Sequence, residues 1–123
     1  MAHSTIFVIE DDAVQRKALT LFLEGEGLTV RTFATARDFL ESVEPSATGC
    51  VISDLRLSEL SAIDLMREMT AKGFQMPVII CTGDSSPKAA EEMAVQGCYH
   101  FLIKPFEPAK LIRTILAALN YRL

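Results

Sequence analysis

Thr5-Ile6-Phe7-Val8-Ile9-Glu10-Asp11-Asp12 decides how the rest of the chain is read. Five β-prone residues with no polar alternation end abruptly on three acids. A run that is apolar on both faces marks a strand covered by helices on each side, as in parallel sheets. Working outward, the same signature returns at Cys50-Val51-Ile52-Ser53, which ends on Asp54, at Val78-Ile79-Ile80-Cys81 before Thr82, and at Tyr99-His100-Phe101-Leu102-Ile103 before Lys104. Leu28 to Thr32 alternates more and reads as an edge strand. Between these runs the period changes to that of a helix. Val14, Ala18, Leu19, Phe22 and Leu23 form one stripe, and Leu111, Ile112, Ile115, Leu116 and Leu119 another. Shorter helical patterns cover residues 35–43, 60–72 and 87–96, with Gly25, Gly73 and Gly97 placed as stops. The order is (βα) five times, and right-handed crossovers then require a doubly wound α/β sheet with helices on both faces.

At 123 residues, half of them hydrophobic, residues 1–123 form one domain able to bury a core without disulfides or a structural metal. The net charge of −4 and the lack of a basic stripe argue against a nucleic-acid surface. Cys50, Cys81 and Cys98 are odd in number and lack metal-ligand spacing, so they read as reduced thiols of a cytoplasmic protein. The apolar stretch before the acids is too short for a signal peptide or a membrane span.

In open parallel α/β sheets the carboxyl ends of the strands gather the ligand groups. Here those ends carry Glu10 and Asp11, Asp54, Thr82 and Lys104. Each has an ordinary explanation: Asp12 is a natural helix N-cap with acids favoured beside it, Asp54 a turn-former or cap, Thr82 a strand exit, Lys104 a solvated charge. Together they suit a divalent cation and a phosphoryl group. Crowded carboxylates repel one another unless a hard cation such as Mg²⁺ joins them, with Asp11 as direct ligand, Glu10 acting through water and the Arg56 backbone carbonyl adding an oxygen. Asp54 then becomes a nucleophile toward phosphorus, Thr82 a donor to a phosphoryl oxygen and Lys104 a compact neutralising charge, while Pro105 is compatible with a cis peptide.

The segments VIEDD (8–12), VISDLRL (51–57), IICTGD (79–84) and FLIKPF (101–106), separated by helix-length spacers, are similar to those of the receiver domain of bacterial two-component response regulators over nearly the whole chain. The resemblance implies a flavodoxin-like five-stranded sheet in the order 2-1-3-4-5. It also implies Mg²⁺-dependent (or Mn²⁺-dependent) phosphoryl transfer from a sensor histidine kinase or phosphotransfer protein to Asp54. It assigns Glu10 and Asp11 as the acid pair, Lys104 as the phosphate-binding lysine, and Thr82 and Phe101 as the switch hydroxyl and aromatic. Phosphorylation is then expected to remodel the surface of helix 4, strand 5 and helix 5, for an output partner or a homodimer. Arg56 and Asp84 occupy positions that tune the lifetime of the acyl phosphate in this family, though an ordinary surface ion pair explains them equally well. Ser58, Ala62 and His100 depart from the family's usual proline, glycine and acid.

Other readings compete. A phosphohydrolase of haloacid-dehalogenase type also uses an aspartate nucleophile with Mg²⁺, but needs a second acid where Arg56 stands. A receiver-shaped module working without phosphorylation would not demand the five site residues together, and a nucleotide-binding protein would carry a glycine-rich loop after the first strand. The chain ends at Asn120-Tyr121-Arg122-Leu123 just past the last helix, as either a single-domain receiver or a piece of a larger regulator.

Overall fold

The computed structural model describes residues 4–120; the outermost residues at both ends, including Tyr121, Arg122 and Leu123, lie outside the described part. Five strands and five helices alternate: β1 (Thr5–Ile9), α1 (Ala13–Gly25), β2 (Val30–Phe33), α2 (Ala36–Ser42), β3 (Gly49–Ser53), α3 (Ala62–Lys72), β4 (Val78–Thr82), α4 (Pro87–Gln96), β5 (His100–Ile103) and α5 (Pro108–Leu119). All pairings are parallel, in the order β2-β1-β3-β4-β5, the doubly wound order of flavodoxin-like folds.

Strand alternation divides the core into two layers. Phe7, Ile9, Val51, Val78 and Ile80 face α2, α3 and α4, where Phe39, Leu65, Met69 and Met93 meet them. Ile6, Val8, Cys50, Ile52, Ile79, Cys81 and Leu102 point the other way, onto Leu23 of α1 and Leu111, Ile115 and Ala118 of α5. Phe39 is the hub of the first layer, its ring meeting Phe7 and Phe33 edge-on at 5.8 and 5.6 Å and Phe74 at 5.5 Å. Gly49 begins β3 beside Thr5 at φ 140°, and a Cβ there would collide with the Thr5 carbonyl, so β1 and β3 close at this point only around glycine.

Side-chain caps set most helix starts. Asp12 Oδ1 accepts from the N–H of Val14 and Gln15 at 2.9 and 3.0 Å, and Thr35, Ser61 and Ser86 cap α2, α3 and α4. The third helix therefore starts at Ala62, leaving Leu60 in the loop before it. Gly73 and Gly97 are left-handed C-caps, as their placement predicts. Gly25 instead stays inside α1, and the positive φ falls at Gly27, because the chain takes a further turn through Glu26 before it reverses. The α1 stripe is not a core stripe throughout: Leu23 is buried, but Val14 is 79% exposed and Ala18 is also exposed. β5, although apolar, is the second edge strand, with Leu102 buried and His100 and Ile103 exposed.

Candidate functional site

Each predicted residue falls at the carboxyl edge of the sheet, and alternation decides the side on which it stands. Glu10, Asp54 and Lys104 continue the faces of Val8, Ile52 and Leu102, toward α1 and α5. Thr82 continues the face of Val78 and Ile80, toward α4. The site therefore straddles the sheet edge, acids and lysine on one side and the hydroxyl on the other.

Asp54 sits just past the end of β3, the middle strand of the five. Its Oδ2 meets Lys104 Nζ at 3.3 Å and its Oδ1 accepts the Arg56 N–H at 3.1 Å. The two paired side chains keep 27% and 36% of their surface exposed, so the pair is open to water. Lys104 is held from behind: its N–H donates to the Thr82 carbonyl at 2.7 Å, tying the ends of β4 and β5 together, and the peptide bond into Pro105 is cis. Thr82 is 4% exposed, and its Oγ1 accepts the Asp84 N–H at 3.2 Å. Phe101 lies opposite Ile80 in the β4–β5 register, half-buried on the same face as Thr82.

The acid pair is asymmetric. Glu10 is half-buried and its Oε2 accepts the Asp12 N–H at 3.1 Å, whereas Asp11 is exposed. Burial pushes the Glu10 carboxyl above its ordinary value of 4.5, and the neighbouring Asp11 carboxylate adds to the rise; the Asp12 N–H and Lys104 oppose it. Such crowding disfavours the ionised acids unless a cation joins them, and an all-oxygen donor set suits Mg²⁺. Among the described residues no three His, Cys, Asp or Glu side chains cluster at metal-holding spacing. The acid pair would therefore need oxygens from elsewhere, which is the usual habit of Mg²⁺ with its waters and phosphate ligands.

Arg56 and Asp84, just past the ends of β3 and β4, meet at 3.3 Å, the arginine side chain 81% exposed. The Ser86 N–H, donating at 2.9 Å, holds the Asp84 carboxyl below its usual value, with Arg56 contributing less. His100 is exposed at the start of β5. Cys50 and Cys81 are buried, and burial pushes both thiols up to about 12. No helix among the described residues is long and apolar enough to cross a membrane.

Three features were not anticipated from sequence. The Arg16 guanidinium reaches back from α1 to donate to the Glu10 carbonyl at 2.8 Å. The buried Ser53 hydroxyl donates to the Asp54 carbonyl at 2.8 Å, anchoring the backbone beneath the aspartate. A cavity of about 340 Å³ opens beside Asp54 and Lys104, walled by Ala18, Leu19, Phe106 and Leu111. Ala18 and Leu19 of α1 line it, although helical periodicity assigns both to the core.

Strand ends that gather acids, a hydroxyl and a lysine over a doubly wound sheet define the class of open α/β domains that hold their ligands at the carboxyl edge. Within that class the chain belongs to the response regulator receiver domain family, whose profile matches residues 6–116. It is 36% identical over 115 residues to the transcriptional regulatory protein FixJ of Azorhizobium caulinodans, covering 94% of this chain and 54% of the relative. To the transcriptional regulatory protein TdiR of Thauera aromatica it is 34% identical over 116 residues, covering 94% and 51%. The crystal structure of FixJ-N superposes with a TM-score of 0.90 at 28% identity, covering all of this chain and 98% of the other. Full-length FixJ from B. japonicum gives 0.87 at 35% identity, covering 97% of this chain and 59% of the other. The chain spans about half the length of the curated relatives it matches. It is a receiver domain of two-component signal transduction, and neither the dehalogenase-type nor the phosphorylation-independent reading finds support in these likenesses.

Proposed function

We propose that Asp54 accepts a phosphoryl group from the phosphohistidine of a sensor kinase or phosphotransfer protein in the cytoplasm, and that residues 1–123 act as one receiver unit. The observation that carries this reading is the Asp54–Lys104 pair, two side chains fifty positions apart joined at 3.3 Å past the middle strand. An Asp54 carboxylate oxygen attacks phosphorus, the P–N bond to the donor imidazole breaks, and the imidazole leaves. Glu10, Asp11, Asp54 and the Arg56 carbonyl would hold Mg²⁺ or Mn²⁺, which when bound offsets the negative charge gathered around the phosphoryl group. The domain assists only its own phosphorylation and dephosphorylation and turns over no separate substrate.

Transfer converts one carboxylate charge into a group carrying about 1.5 to 2 negative charges with strong acceptor oxygens. Lys104 shifts its ion pair to those oxygens. Thr82 exchanges its contact with the Asp84 N–H for donation to the phosphoryl group, and the space it leaves on the α4 side admits the Phe101 ring from the same face. The α4-β5-α5 surface then changes for an output partner or a second copy, a population shift between two states of the domain. Arg56 and Asp84 stand over the phosphoryl position and limit attack by water.

Incubation with acetyl phosphate and Mg²⁺, followed by intact-mass analysis and peptide mapping, tests the acceptor. One phosphoryl group per chain on the peptide containing Asp54 supports it; labelling of a different peptide refutes it. Hydrogen exchange with and without beryllofluoride tests the switch, for which protection must change over α4 and β5.

A further inference from the structure

The sheet's amino-terminal edge carries a second chemistry. Of the five methionines in the chain, Met66, Met69 and Met76 line one cavity of about 350 Å³ between α3 and α4, joined by Cys98. The four come from three separate segments: Met66 and Met69 three apart on one face of α3, Met76 in the approach to β4, and Cys98 between α4 and β5. The three methionines are buried and Cys98 is half-buried, while Thr70 and Gly97 at the rim are exposed and open the space to water. Flexible thioethers ordinarily close gaps in a core. Here a gap remains beside three of them. No Asp, Glu or His lines it.

We propose that this cavity is a binding site for a soft monovalent metal ion, Cu(I) or its redox-inert analogue Ag(I). Three arguments converge on that class. Thioether and thiolate sulfurs select Cu(I), whereas the hard cations that suit the acid pair at the opposite edge find no carboxylate here. Charge fits as well. On binding, Cys98 loses its proton to the solvent and a sulfur–metal bond forms with no change of oxidation state; one thiolate and three neutral thioethers then enclose a monovalent ion with zero net charge. A divalent ion in the same donors would leave an uncompensated positive charge in a space with no anion to meet it. Finally, each methionine has three rotatable bonds with which to bring its thioether toward an ion held at Cys98.

The test uses Ag(I) as probe, in native mass spectrometry of the whole chain with glutathione present as a competing thiol. The wild type retains one Ag(I) and no Zn²⁺. Cys98→Ser, and separately the volume-conserving double variant Met66→Leu with Met69→Leu, each lose occupancy by about tenfold or more at the same competitor concentration, while Cys50→Ser retains the ion. Circular dichroism of each variant verifies the fold. Failure of the wild type to hold Ag(I) against glutathione overturns the site, and so does full retention by the double methionine variant, which would reduce it to capture by a single thiol.

Discussion

Replacing Lys104 with Met separates the two tasks assigned to the carboxyl edge. Lys104 Nζ lies 3.3 Å from Asp54 Oδ2, so a metal ion bound at Asp54 would have to compete with the lysine for that carboxylate. At this separation the bare Coulomb energy with an effective dielectric constant of about 20 is roughly 5 kcal/mol. The side chains are 36% and 27% exposed, however, and measured open pairs of this kind contribute only about 0.2–1 kcal/mol after solvation and side-chain entropy are included. The lower range governs. Freeing Asp54 from the lysine should therefore tighten Mg²⁺ binding by about 1.5-fold to about fivefold, since about 1.4 kcal/mol corresponds to a factor of ten. The chain has no tryptophan, so isothermal titration calorimetry or chemical-shift titration is the suitable assay. In the same variant phosphorylation persists in part but no longer shifts the Phe101 ring, because the phosphoryl oxygens have lost their cation. Weaker or unchanged Mg²⁺ binding in Lys104→Met would refute the competition on which this reasoning rests.

Three further outcomes are expected. Replacing both Arg56 and Asp84 with alanine should change the rate of phosphoryl loss, followed by intact mass over time, without changing the denaturation midpoint; equal lifetimes would leave the pair as plain surface charges. Because burial raises the folded pKa of Glu10 above 4.5, its contribution to stability is fully present below that ordinary value and is lost as pH rises through the raised one. Mg²⁺ binding should weaken as pH falls through the same window, and Glu10→Gln should diminish that dependence in titrations across it. Phe39→Leu gives up three ring contacts of about 0.5–1.5 kcal/mol each, partly recovered by repacking, so urea denaturation should show a loss of about 2 kcal/mol; a loss under about 0.5 kcal/mol would deny Phe39 its place as hub.

The central strands were legible because burial on both faces leaves no choice of residue type: TIFVI, CVIS and VIICT admit apolar or small side chains almost throughout. The site was legible for a related reason, in that charged and hydroxyl residues placed directly after such runs must emerge at one edge. β5 was harder. Phe101 and Leu102 look central by composition, and the edge position of their strand came only from the family resemblance, whose order 2-1-3-4-5 the pairing matches. The face of α1 was harder still, since Val14 and Ala18 have core periodicity yet Val14 is open to solvent and Ala18 lines a cavity, and periodicity records spacing without recording what stands opposite. Arg16 gave no local signal at all, because its partner is a backbone carbonyl, a group that every residue carries.

That Asp54 alone accepts the phosphoryl group is tested most directly by comparing the wild type with Asp54→Asn. Asn keeps the shape and the Arg56 N–H contact while removing the charge that attacks phosphorus and pairs with Lys104. After incubation with acetyl phosphate and Mg²⁺, intact-mass analysis should show one phosphoryl group on the wild type and none on the folded variant. A phosphoryl group on Asp54→Asn, or none on the wild type with any donor, would contradict the claim.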